Sequence, residues 1–291
     1  MAQGTTANVE AFLDEDTETW SYVVYDHSGG RAAVIDPVLD FDPKSGSTDT
    51  KGAERLVHFV RDNDLTLDWI LETHAHADHL SAAPFIRNTL GGKLAIGEHI
   101  TEVQSIFKRL FNLGAEFVAD GRQFDRLIGD GDSIRIGELT ATAIFTPGHT
   151  PADLSWLIGG ALFVGDTLFM PDAGTARCDF PGGDAATLYR SIQRLYSYDD
   201  NTPIYVCHDY PPDGRPHQCR TSVGAQKNDN IHIRADVTEA DFVALREKRD
   251  AGLDMPRLIL PSVQVNIRAG DLPPAEDNGV SYLKIPLNQL A

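Results

Sequence analysis

Apolar positions fall in short runs bounded by turn residues at 8–13, 20–26 and 31–36, and these runs predict strands. Asp26, His27, Ser28, Gly29 and Gly30 supply the hairpin loop between the second and third. The period then lengthens. Gly52 to Asn63 carries Leu56, Val57 and Val60 at helical spacing and leads into a buried strand from Leu67 to Glu72. A helix over 78–90, a strand over 93–97 and a helix over 99–112, with Val103, Ile106, Phe107 and Leu110 on one face, complete a first block. A second block opens at the turn Gly129 to Asp132 and predicts strands over 133–136, 139–146, 154–158 and 161–164, the last two joined by Gly159 and Gly160. A helix over 185–198 and a buried strand over 203–207 close it.

Two blocks of strands, each followed by helices, predict an α/β fold: an αββα sandwich of two mixed β-sheets flanked by helices. No linker rich in Gly, Ser or Pro interrupts it, so residues 1–220 read as one catalytic domain. Residues 221–291 read as a C-terminal extension packed on that domain. The extension holds a helix from Thr238 to Arg249 with Thr238 as its N-cap, strand-like runs at 258–260 and 263–267, and a polar loop over 271–278.

The chemistry concentrates behind predicted strands. His74, His76, Asp78 and His79 fall within six residues just after the strand ending at Glu72, and so much imidazole and carboxylate in one loop reads as a metal site. His149 follows the strand ending at Phe145, Asp166 follows Ala161 to Val164, and His208, Asp209 and Tyr210 follow Ile204 to Cys207. Each metal-capable side chain comes at or just after a strand end, which places all of them on one rim of the sheets. The inventory suits one metal or two. His27, His58, His99, His217 and His232 lack such a context and read as ordinary surface or core histidines.

Charge narrows the function. The 291 residues hold 43 acidic against 25 basic side chains, a formal charge of −18 that opposes binding to nucleic acid or anionic membranes. The polar start, Met1 to Asn8, has no apolar signal core, and no run approaches the roughly 20 apolar residues of a membrane span, so a cytoplasmic location is expected. Cys178, Cys207 and Cys219 are scattered and read as unpaired thiols of a reducing compartment.

Taken in order, Thr73 to His79, Thr146 to Thr150, Gly165 to Phe169 and Cys207 to Tyr210 resemble the motifs of the metallo-β-lactamase superfamily, over about residues 8–210. Val34 to Asp40, Arg177 to Phe180 and Val265 to Arg268 are similar to segments of its persulfide dioxygenases. That resemblance implies oxidation of glutathione persulfide, or a related small persulfide, by dioxygen and water at one non-haem Fe(II) per chain. It implies His74, His149 and Asp166 as iron ligands, with His76, Asp78, His79 and His208 around them or holding a second metal. Tyr210, His208, Asp78 and His79 would then serve the chemistry, and Arg177, Asp179, Arg268 and Thr150 the substrate, with guanidinium groups on the glutathione carboxylates and Asp179 on the glutathione ammonium or holding Arg177 in place. The rival implied by the same superfamily is a thioester hydrolase of glyoxalase II type with two Zn(II), or Fe and Zn. There His74, His76 and His149 would hold one metal, Asp78, His79 and His208 the other, and Asp166 would bridge. No partner beyond substrate and dioxygen is implied, and a homodimer is left open.

Overall fold

A computed structural model describes residues 6–289. Met1 to Thr5, part of the polar start noted above, lie outside the described residues. The first block runs β1 (Asn8–Asp14), β2 (Thr19–Tyr25), β3 (Arg31–Ile35), the hairpin β4 (Val38–Asp42) and β5 (Ser47–Asp49), then α1 (Lys51–Asp62). It continues through β6 (Thr66–Leu71), the short β7 (Leu80–Ser81), α2 (Ala83–Leu90), β8 (Lys93–Gly97), α3 (Ile100–Leu110) and β9 (Arg126–Ile128). The second block holds β10 (Ser133–Ile136), β11 (Leu139–Phe145), β12 (Leu154–Ile158), β13 (Ala161–Phe163), α4 (Ala185–Tyr196), β14 (Pro203–Tyr205) and β15 (Arg220–Ser222). Three helices follow: α5 (Val223–Asp229), α6 (Glu239–Asp250) and α7 (Ile259–Asn266).

Two six-stranded sheets result, in the orders β1-β2-β3-β6-β8-β9 and β10-β11-β12-β13-β14-β15. Both are mixed: β3, β6, β8 and β9 pair in parallel beside an antiparallel β1-β2-β3 edge, and β13 pairs with β14 in parallel within an otherwise antiparallel sheet. Period-two alternation divides each strand between two cores. Val23 and Val34 face α1, α2 and α3, whereas Tyr22, Val24, Ala33 and Ile35 face the other sheet and meet Trp156 and Phe163 there. A third core lies between the second sheet and α4 and α6. The predicted αββα sandwich is therefore the observed one.

Strand direction builds the rim. β11 and β13 are each antiparallel to β12, and β13 is parallel to β14, so β11, β13 and β14 end on one edge. The loop after β6 is tied to that edge where Leu154 N donates to the Thr73 carbonyl at 2.9 Å.

Two segments differ from expectation. The helix predicted from residue 78 starts at Ala83, because Leu80 and Ser81 pair with Leu39 and Val38 as β7. The runs 258–260 and 263–267 are not strands; they form the single helix α7. Burial on every side leaves α7 no polar face, and a short apolar run reads alike as strand or buried helix. The Thr238 cap is present, its hydroxyl accepting from Asp241 N at 3.2 Å. The extension packs on both blocks, α6 against α4 and α7 against β7. Among the described residues, no helix is long and apolar enough to cross a membrane.

Candidate metal centre

The first ligand loop is fixed from below. Asp36, at the end of β3, accepts from Thr73 N at 2.7 Å and from the Thr73 hydroxyl at 2.9 Å. With its proton committed to Asp36, Thr73 Oγ1 accepts from His74 Nδ1 at 3.0 Å. The imidazole thus carries its proton on Nδ1 and presents a bare Nε2. His149 is set the same way, Nδ1 donating to the Arg177 carbonyl at 2.7 Å, and His208 Nδ1 donates to the Glu18 carbonyl at 3.1 Å.

Asp166 sits in a single 3₁₀ turn after β13. Gly165 precedes it at φ +49°, and a Cβ there would lie 2.7 Å from Thr73 Oγ1, so only glycine lets this turn press against the His74 loop. The two carboxylate oxygens face different ways. Oδ2 is 3.6 Å from His149 Nε2 and 3.9 Å from His74 Nε2, while Oδ1 is 3.4 Å from His208 Nε2. Asp78 Oδ2 lies 3.2 Å from both His208 Nε2 and His79 Nδ1. His76 turns Nε2 toward Asp36, at 3.1 Å but out of line for a hydrogen bond, and toward Glu72 at 3.6 Å.

Among the described residues, four groups have all their ligand atoms within 4.8 Å: His74, His149 and Asp166; beside them His76, Asp78, His79 and His208; and two that overlap these, Asp166, Cys207 and His208, and Asp36, Glu72 and His76. Burial, then the neighbouring imidazoles, push His74 and His76 well below the ordinary histidine range, so both are neutral. Burial pushes Glu72 well above the carboxylate range, and Asp36 adds to it. Burial also acts upward on Asp78, but His208 and His79 outweigh it and hold the carboxyl well below its usual range. Cys207, although near Asp166 and His208, is driven up by burial and stays a thiol.

The donor set fits a divalent metal. His74 Nε2, His79 Nε2, His208 Nε2 and Asp166 Oδ1 are buried without hydrogen-bond partners. Converging lone pairs of this kind are costly unless a cation takes them up. A cavity of about 540 Å³ opens over Asp78, His149 and Asp166.

The other expected residues divide. Tyr210 lines the cavity, 44% exposed, with its ring stacked on His208 at 5.7 Å. Arg177 lines it too, but its guanidinium is taken up by Asp179, at 2.5 Å through both Nε and Nη2, and by the Asp254 carbonyl at 2.6 Å. Asp179 holds Arg177 rather than facing the cavity. Thr150, expected at the substrate, is wholly buried and donates to Asp153 at 2.5 Å, which braces the His149 loop. Arg268, also expected there, is not brought in. Its guanidinium lies over Phe117 at 4.7 Å and lines a separate cavity of about 270 Å³ with Glu116 and Lys284, although Asn266, two residues earlier, donates to the His76 and His79 carbonyls at 2.8 Å.

Sequence reading missed the positioning residues Asp36 and Thr73 and the cavity wall from the extension, which includes His232, Arg246 and Arg249. For Asp36 a signal existed: a carboxylate directly after a buried strand, like the ligands themselves.

A family model described as the metallo-beta-lactamase superfamily matches residues 15–208. A probable metallo-hydrolase of Burkholderia pseudomallei is 54% identical, across 97% of this chain and 99% of its own. A protein named glyoxylase B2, from Dictyostelium discoideum, is 46% identical across 98% of each. The mitochondrial persulfide dioxygenase ETHE1 of Bos taurus is 30% identical, across 87% of this chain and 84% of its own. The crystal structure of ETHE1 from Myxococcus xanthus matches with a TM-score of 0.72 at 28% identity, across 91% of this chain and 100% of that one.

Proposed function

The chain belongs to the metallo-β-lactamase superfamily, whose enzymes depend on metal ions, and on that premise we propose that it is a glutathione persulfide dioxygenase working at one non-haem ferrous ion. The observation that carries this reading is the separate grouping of His74, His149 and Asp166, two imidazoles and one carboxylate, without His76. Such a set on one face suits ferrous iron and leaves positions open. The likeness to the bovine persulfide dioxygenase and to the Myxococcus structure supports it.

In the overall reaction, glutathione persulfide, dioxygen and water give glutathione, sulfite and two protons. The outer sulfur loses the four electrons that dioxygen gains, and water supplies the third oxygen. Bound iron would supply dioxygen activation and a seat for the persulfide sulfur. The chain does the rest. Thr73 and the Arg177 carbonyl hold His74 and His149 in the tautomer that leaves Nε2 free. Burial opposes charge on the His208 imidazole, but Asp166 and Asp78 outweigh it and make the ring more basic, so His208 takes up a proton released as water adds to sulfur, with Asp78 3.2 Å away to stabilise the resulting charge. Tyr210 and Phe169, in edge-to-face contact at 5.3 Å, give the cavity beside the site an aromatic wall.

One observation favours a second reading. The oxygens of Asp166 face the two ligand groups separately, as a bridging carboxylate would, and the Burkholderia and Dictyostelium relatives are named as a metallo-hydrolase and a glyoxylase. A dinuclear thioester hydrolase is that alternative. Metal analysis of anaerobically prepared protein, with oxygen uptake on adding glutathione persulfide, separates the two. The dioxygenase requires about one iron per chain and rapid uptake. Two zinc ions per chain, hydrolysis of S-lactoylglutathione and no uptake would overturn it.

A further inference from the structure

The cavity over His149 and Asp166 has two unlike walls. One consists of the ligand loops; the other comes from residues 231–257, beyond the span of the family match. The second wall brings three guanidinium groups, Arg246, Arg249 and Arg257, into a cavity that Arg177 also lines. Two of these four are already engaged. Arg246 pairs with Asp250 at 2.6 Å and donates to the Thr175 carbonyl at 3.0 Å, and Arg177 is held by Asp179 and the Asp254 carbonyl.

Arg249 and Arg257 differ. Among the described residues neither has a carboxylate within 4.0 Å, and Arg257 makes only a long contact, 3.4 Å, to the Asp16 carbonyl. Both are exposed, and although Asp16, Asp78, Asp166 and Asp172 also line the cavity, these two guanidinium groups are free to meet an anion that enters it. Apolar side chains accompany them. Ile231 and Leu253, 52% and 46% exposed, line the same space with Tyr210. Exposed apolar groups beside unpaired guanidinium groups, in a volume of about 540 Å³, suit an amphipathic anion of tripeptide size. The arginines also act on their neighbour: burial, then Arg246 and Arg249, push the His232 imidazole down to about 4.

We propose that Arg249 and Arg257 bind the carboxylates of a thiol-borne substrate, so that the wall built by the extension selects anionic thiol derivatives. This rests on the proposed function only in taking a substrate carried on a thiol; the selection by charge is the same for oxidation or hydrolysis. The metal cluster sets the reaction, and this wall sets which carrier reaches it.

Glutathione and its diethyl ester, titrated calorimetrically into metal-loaded protein, test the assignment. Wild type should bind glutathione roughly tenfold more tightly than the ester, the difference one good charged contact makes. The double variant Arg249→Gln, Arg257→Gln should lose that preference by weakening glutathione alone, and the matching lysine pair should retain most of it. The glutamine pair should also raise KM for glutathione persulfide by the same factor, with kcat unchanged. Equal binding of the two ligands by wild type, no binding of either, or unaltered glutathione affinity in the glutamine pair overturns the proposal. Charge selection without persulfide turnover would sink the oxygenase reading and uphold this one.

Discussion

Replacing Thr73 with valine keeps the side-chain shape and removes one oxygen from the relay that orients His74. That oxygen donates to Asp36 Oδ2 at 2.9 Å and accepts from His74 Nδ1 at 3.0 Å. All three residues are at most 2% exposed, so water cannot replace either bond. A buried polar group left without its partner costs about 1–3 kcal/mol, and two such groups are left, although Asp36 keeps its bond from Thr73 N. The metal-free protein should therefore lose about 2–4 kcal/mol of stability, read by denaturant unfolding. The metal effect is separate. Without an acceptor for Nδ1–H, His74 is no longer held in the tautomer with a bare Nε2, and loss of such an outer hydrogen bond lowers metal affinity about 10- to 100-fold. That range corresponds to about 1.4–2.7 kcal/mol, and anaerobic competition with a ferrous chelator measures it. Thr73→Ser, which restores the hydroxyl, should recover most of both losses. If the valine variant bound ferrous iron within about twofold of wild type, the relay from Asp36 through Thr73 would not be what orients His74.

Asp166→Ala removes the carboxylate that faces both ligand groups; metal analysis should find the protein empty and inactive, with its circular dichroism retained. Arg215→Ala strips the wholly buried Asp209 of two bonds, at 2.7 and 2.9 Å, and should cost about 3–5 kcal/mol in denaturant unfolding. His232, pushed down to about 4 by burial and then by Arg246 and Arg249, makes the fold acid-sensitive. Between about pH 6.5 and 4 the unfolded chain binds this proton and the folded one does not, so stability falls as pH falls, by about 2 kcal/mol from pH 7 to 5. Urea unfolding at the two pH values should show a loss smaller by about that amount in His232→Gln; equal losses would remove His232 from the acid response.

The metal-capable residues could be placed on one rim from sequence because each directly follows an apolar strand and the relevant strands run the same way. What holds them could not. Asp36 reaches Thr73 across 37 positions, and His208 is oriented by a main-chain carbonyl 190 positions away, a group with no side-chain signature. Thr150 and Arg268 show the converse: adjacency to a candidate ligand or to a family segment does not fix which way a side chain turns. His232 reads from sequence as a lone histidine, and nothing local marks it; the fold places it on the cavity wall with Arg246 and Arg249. The division has a mechanical cause. The ligands are carried in short loops braced by two sheets, so their geometry is set by local chain and changes little when distant surface changes. The opposite wall is built from helices and a loop laid on the outside of that frame, where an arginine can be gained or lost without touching Thr73, His149 or Asp166. A chain built this way can change the carrier it accepts while keeping its metal chemistry, and the residues that decide the carrier are then the ones sequence motifs do not mark.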